Sequence, residues 1–151
     1  MCLTTITKQI AKPTLKERGV YQVFYTPRHK RDINRIRSIF HGSRYIQTGV
    51  WKKARYIGQL EGDTTSNCKL YDDSGRQYCS GFHGFVYAIE AKLYVEWLQR
   101  WYPEDLNYYD LTIRKVRMRK IHTIGMQFFY APRADVTCSA QVVVASERLV
   151  P

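Results

Sequence analysis

The sequence predicts an α+β domain: a mixed or antiparallel sheet of about five to seven strands, one main helix and one short basic helix. Three stretches carry that reading. From Ala88 to Tyr102, the residues Ala91, Tyr94, Val95, Leu98, Trp101 and Tyr102 recur at helical spacing, with Glu90, Lys92, Glu96, Gln99 and Arg100 mostly on the other face. Pro103 ends this helix, because proline lacks the N–H that continuation needs. From Leu111 to Ile121, Val116 and Met118 alternate with Lys115, Arg117 and Arg119, the period of a half-buried strand. From Val136 to Val150, the run Val142-Val143-Val144 suits a strand buried on both faces.

The other elements follow in chain order. Residues 1–19 are polar and punctuated by proline, and read as an arm leading into a single domain over residues 20–151. Val20 to Thr26 is β-branched and aromatic and reads as a central strand ended by Pro27. Ile33, Ile36 and Phe40 make the buried stripe of a short basic helix over residues 31–40. Arg44 to Gln47 and Lys53 to Leu60 read as short strands around Gly49, followed by a polar loop from Glu61 to Asn67. Asp73-Ser74-Gly75 separates KLY from RQYC as a hairpin turn would. Leu111 and Ile113 are apolar in the phase opposite to Val116 and Met118, which predicts a bulge near Arg114. Gly125 begins or breaks a further strand, Met126 to Tyr130, and residues 132–135 turn the chain into the last one.

Charge narrows the function. The net charge of +11 is segregated: residues 28–55 hold nine basic side chains against Asp32 alone, residues 114–120 add five more, and residues 61–110 are net acidic. Segregated positive charge steers polyanions and phosphate-bearing ligands toward a protein; the plain alternative is a solvated basic surface. The candidate anion-binding residues are Arg28, Lys30, Arg31, Arg35, Arg37, Arg44, Lys52, Lys53, Arg55, Arg114, Lys115, Arg117, Arg119 and Lys120. His83 joins them, since Gly81 and Gly84 around it permit close approach of a ligand ahead of a helix N-terminus. No apolar run is long enough to span a bilayer and the first residues lack a signal-peptide core, so the expected location is the cytoplasm.

The four cysteines, Cys2, Cys68, Cys79 and Cys138, are spaced too irregularly for a compact disulfide framework and read as thiols. Cys79 and His83 could be imagined as zinc ligands or as a nucleophile pair, but no metal-binding spacing accompanies them and nothing in the sequence orients the pair. Cys2 would carry its own α-amine as a base if Met1 were removed. The structural alternative for His83 is a hydrogen-bonded turn histidine. No cofactor and no metal enter the reading.

The MCL start, VYQVF in the first strand, the GFHGF turn, AIEAKLY in the helix and the valine-rich final strand together resemble a group of small phage and prophage accessory proteins. The resemblance covers most of the chain, apart from the basic stretch Arg28 to Arg55, and implies host takeover or counter-defence. A more distant layout is similar to ADP-ribosyltransferase-like folds, which would put Tyr21 and His83 at a nicotinamide pocket and make Glu147 the catalytic acid. The serine-threonine strand and first-strand basic residue of that scheme are missing. The leading expectation is therefore a non-enzymatic protein that binds nucleic acid or a phosphorylated nucleotide. An inhibitor covering a host defence protein and an ADP-ribosyltransferase-like enzyme are the alternatives.

Overall fold

The computed structural model describes residues 3–28, 35–38, 45–54, 69–104, 106 and 109–151. In chain order the elements are β1 (Thr5–Gln9), β2 (Arg18–Pro27), β3 (Arg37–Ser38), β4 (Trp51–Lys53), β5 (Lys69–Tyr71), β6 (Gln77–Cys79), β7 (Phe82–Phe85), α1 (Ala88–Trp101), β8 (Tyr109–Ala131) and β9 (Val136–Leu149). Among the described residues seven strands form one antiparallel sheet, while β5 and β6 pair as a separate ribbon, so the strands outnumber the expected five to seven.

One strand holds the sheet together. β8 pairs with β2 over residues 109–118, with β1 over 123–126 and with β9 over 117–131. β9 pairs in turn with β7 and β4, and β7 meets β2 at Tyr21 and Phe85. The ladder thus closes into a circuit, β2–β8–β9–β7, which leaves no free edge among those four where they pair.

The expected break at Gly125 does not occur, and residues 109–131 form a single strand. A Cβ at Gly125 would press into the Thr5 carbonyl and the Leu3 side chain, so this glycine admits a crossing strand rather than ending its own. That crossing strand is β1, inside the stretch expected as a polar arm, with Leu3 and Ile6 fully in the core. The ribbon clips β1 in place. Asp72 accepts the Ile6 N–H at 3.0 Å and Tyr78 accepts the Leu3 N–H at 2.8 Å.

The bulge expected near Arg114 is also absent. The β2–β8 register runs unbroken through it, and the shift lies between Ile121 and Thr123 against β9. Leu111 and Ile113 are apolar because α1 covers their face, whereas Val116 and Met118 feed a second core cluster on the opposite face. A strand buried on different faces at different points imitates a phase change.

The valine run behaves as its composition requires. Val142 and Val144 join the α1-side cluster and Val143 the opposite one. On α1, Ala91, Tyr94 and Leu98 are buried, and the Tyr94 ring packs on Phe85 and Phe129 at centroid separations of 5.1 and 5.4 Å. Taking a side chain such as Leu98 out of water stabilises the fold by about 1.5–3 kcal/mol.

The basic helix expected over residues 31–40 is corrected at its C-terminal end. Ile36 is buried as the stripe demands, but Arg37–Ser38 is extended and pairs with Tyr25 and Phe24, because the β2 edge offers backbone partners. Residues 29–34 and 39–44 lie outside the described residues. Around Gly49, Tyr45 makes one bridge to Arg37 and β4 begins at Trp51, ahead of the expected strand. Residues 55–68, with the expected polar loop, lie outside the described residues. The hairpin turn before Arg76 forms as expected, between β5 and β6.

Candidate nucleic-acid interface

Alternation along β8 carries Leu111 and Ile113 under α1 and then, on the same face past the end of the helix, Lys115, Arg117 and Arg119. β4 brings Trp51 and Lys53 to that uncovered end, since Trp51 and Arg117 both pair with Leu149, and Lys53 and Arg119 both pair with Glu147. The Arg119 guanidinium stacks over the Trp51 ring at 4.1 Å and the Arg117 guanidinium lies 5.9 Å from it.

Two carboxylates brace this cluster. Glu17 accepts Arg117 through Nε at 2.7 Å and also through Nη2. Glu147 accepts Arg119 Nε at 2.5 Å and Lys120 Nζ at 2.8 Å. Hydrogen bonds from Lys120 and Arg119 hold the Glu147 carboxyl below its ordinary range. Lys120 reaches it because its backbone adopts φ 53°, a left-handed conformation that re-aims the side chain next to the register shift. Lys53, Lys115, Arg117, Arg119 and Lys120 therefore outnumber the acids beside an aromatic ring.

A second basic group sits at the other end of the β2–β8 ladder. Arg37 donates to the Tyr109 hydroxyl at 2.7 Å and stacks over Tyr45 at 4.5 Å, Arg35 lies 4.9 Å from the same ring, and Arg28 pairs with Asp110 at 3.0 Å. Tyr109 and Arg119 are ten residues apart on one strand, about 30 Å in extended geometry. The sequence-selected cations are thus gathered into two aromatic-lined groups rather than one stripe. Arg114 and Lys52 project from the opposite face, and Lys30, Arg31, Arg44 and Arg55 lie outside the described residues.

His83 stands apart from these cations. It lies in β7, not in a turn; its Nδ1 contacts the Gly81 carbonyl at 3.1 Å and its Nε2 the Tyr78 hydroxyl at 3.4 Å. The Tyr78 oxygen already accepts the Leu3 N–H, so its proton suits Nε2 and the Nδ1 proton suits Gly81. Enclosure in the protein drives the imidazole pKa down to about 3, which leaves the ring neutral and removes it as a cationic anion ligand. Gly84 is explained by packing, since a Cβ there would collide with Val20 and Met118. In the first turn of the helix, the Glu90 carboxylate accepts the Gln141 N–H of β9 at 3.1 Å.

Tyr21 is half-buried opposite Phe85 and Lys115. Glu147 lies three residues past Val144, the partner of His83, with its carboxylate committed to two cations. Cys79 is exposed and Cys138 buried, both as free thiols, and among the described residues no group of three or more His, Cys, Asp or Glu could hold a metal. Cys2 and Cys68 lie outside the described residues.

Sequence reasoning missed Trp51 and Glu17. For Trp51 a signal existed, an aromatic residue directly before Lys52-Lys53; for Glu17 none did, because its partner is a hundred residues away. Comparison with protein-family models, curated proteins and solved structures yields no match for this chain. Among the described residues no helix is long and apolar enough to cross a membrane.

Proposed function

We propose that this chain is a non-enzymatic accessory protein of the phage type that binds nucleic acid through the face around Trp51. The observation that carries the reading is the arrangement of Arg117 and Arg119 about the Trp51 ring, with Lys53 and Lys120 beside them. Cations that neutralise phosphates, interleaved with a ring on which a base can stack, are the requirements of single-strand binding. The saturated Glu147 carboxylate and the neutral, engaged His83 favour binding over ADP-ribosyl transfer, because neither group is disposed to act on a substrate.

The test is a titration of labelled single-stranded DNA, single-stranded RNA and duplex DNA against the wild-type chain and Trp51→Ala. Binding of a single strand that weakens on loss of the ring supports the reading. A chain that binds none of the three overturns it and moves the same positive face to the alternative use, covering an acidic surface of a host protein.

A further inference from the structure

From the opposite face of the sheet we infer that Arg148, held by Gln22, forms a recessed binding site for a phosphate group, distinct from the Trp51 face. Arg148 is only 8% exposed. It shares a rung with Met118 and with Lys52, and its guanidinium lies 4.2 Å from the Phe82 ring centroid and 5.6 Å from that of Phe24. Its Nη1 donates to Gln22 Oε1 at 3.0 Å, while Gln22 Nε2 donates to the His83 carbonyl at 2.6 Å. The amide is thereby fixed with its oxygen toward the arginine.

Among the described residues no carboxylate pairs with this guanidinium. The buried Arg148 Nε has no hydrogen-bond partner among the described residues. The described carboxylates beside the basic strands are committed elsewhere: Glu17 to Arg117, Glu147 to Arg119 and Lys120, Asp110 to Arg28. A buried guanidinium with one neutral acceptor and two aromatic rings remains under-compensated, and its planar fork matches two oxygens of a phosphate. Rung pairing places Lys52 beside Arg148, and Arg114 opposite Gln22, on this same face, adding positive charge suited to a dianion. A phosphate monoester meets those requirements, whether as a free nucleotide or as the phosphorylated end of a strand.

The experiment follows the Nε–H resonance of Arg148 in the isotopically labelled full chain while inorganic phosphate is added, with chloride at matched ionic strength as control. A saturable shift with phosphate alone, retained in the Arg117→Ala/Arg119→Ala variant, is expected. Its persistence there separates this site from the Trp51 face, so either can fail without the other. Arg148→Met should weaken phosphate binding about tenfold or more, the loss of a charge-assisted hydrogen bond. Adenosine monophosphate shifting the resonance where adenosine does not identifies a nucleotide source; a 5′-phosphorylated oligonucleotide doing so where its 5′-hydroxyl counterpart does not identifies a strand end. A resonance that stays still under phosphate, or an Arg148→Met chain that binds phosphate as wild type does, overturns the inference. Should that variant fail to fold, the wild-type titration decides alone.

Discussion

Arg119 and Glu147 occupy one rung of the β8–β9 ladder, with Nε 2.5 Å from Oε2 in a pair whose acid is 4% exposed. Lys120 joins the same carboxylate, so one acid restrains two cations of the proposed interface. Glu147→Gln should therefore tighten nucleic-acid binding and lower stability by roughly 1 kcal/mol, a modest figure because both cations keep access to water. The folded-state pKa of Glu147 is depressed, so its contribution is present above the ordinary carboxylate range and disappears as pH falls through the folded value. Binding isotherms and denaturant melts of the variant at neutral and acidic pH check both effects, and the stability difference from wild type should shrink in acid.

Salt dependence tests Arg117 and Arg119 together. If each contacts one phosphate, replacing both by alanine should reduce the slope of log affinity against log salt by about 1.4 on single strands, at roughly 0.7 per phosphate. Trp51→Ala should instead lose about 1–3 kcal/mol of single-strand affinity with the salt slope nearly unchanged, since stacking releases no counterions. A variant series in which the arginine pair leaves the slope where it was would remove these residues from the interface.

Leu98 lies on the buried side of α1, between Ala91 and Tyr94 and the end of the helix. Leu98→Ala should cost about 2–5 kcal/mol through lost transfer energy and a residual cavity, while Lys92→Ala on the exposed side should change stability by less than about 0.5 kcal/mol. Paired chemical denaturation curves measure the difference directly.

Acid stability should report on His83. Its pKa of about 3 in the folded chain stands below 6.5 for the free side chain. The unfolded chain therefore takes up a proton that the folded one refuses, and stability falls as pH drops from about 6.5 toward 3. His83→Gln, which keeps a polar partner for Tyr78, should flatten that part of the profile. Denaturant midpoints at pH 7 and pH 5 are enough to see it, and an equally steep fall in the variant would assign the acid sensitivity elsewhere.

Much of the fold is legible wherever a single local rule decides. Helical spacing selects Ala91, Tyr94 and Leu98, and Pro103 follows the end of the helix. Yet Trp101, on the same stripe, is 64% exposed, since the spacing does not say where the sheet stops. Gly125 reads as punctuation because the reason for it, the passage of Leu3 and Thr5, comes from the far end of the sequence. The candidate anion-binding residues are legible as a charge excess but not as two separated groups, because their grouping depends on which rungs of β2, β4 and β9 fall opposite them. Arg148 was invisible for a different reason: one arginine in SERL carries no local sign that Phe82 and Gln22 will enclose it.

The central position of β8 has a kinetic consequence. Its partners lie both upstream, in β1 and β2, and downstream, in β9, so no short segment can assemble the sheet by itself. β8 and β9 form a local hairpin, but the β1 and β2 pairings span most of the chain. Those pairings require large loops to close before their contacts are rewarded, which raises the contact order and slows folding relative to helical bundles of equal stability. Until β9 docks, β8 also presents a long run of unpaired backbone donors and acceptors, so the nascent chain is most vulnerable to intermolecular strand pairing while its last strand is still being made.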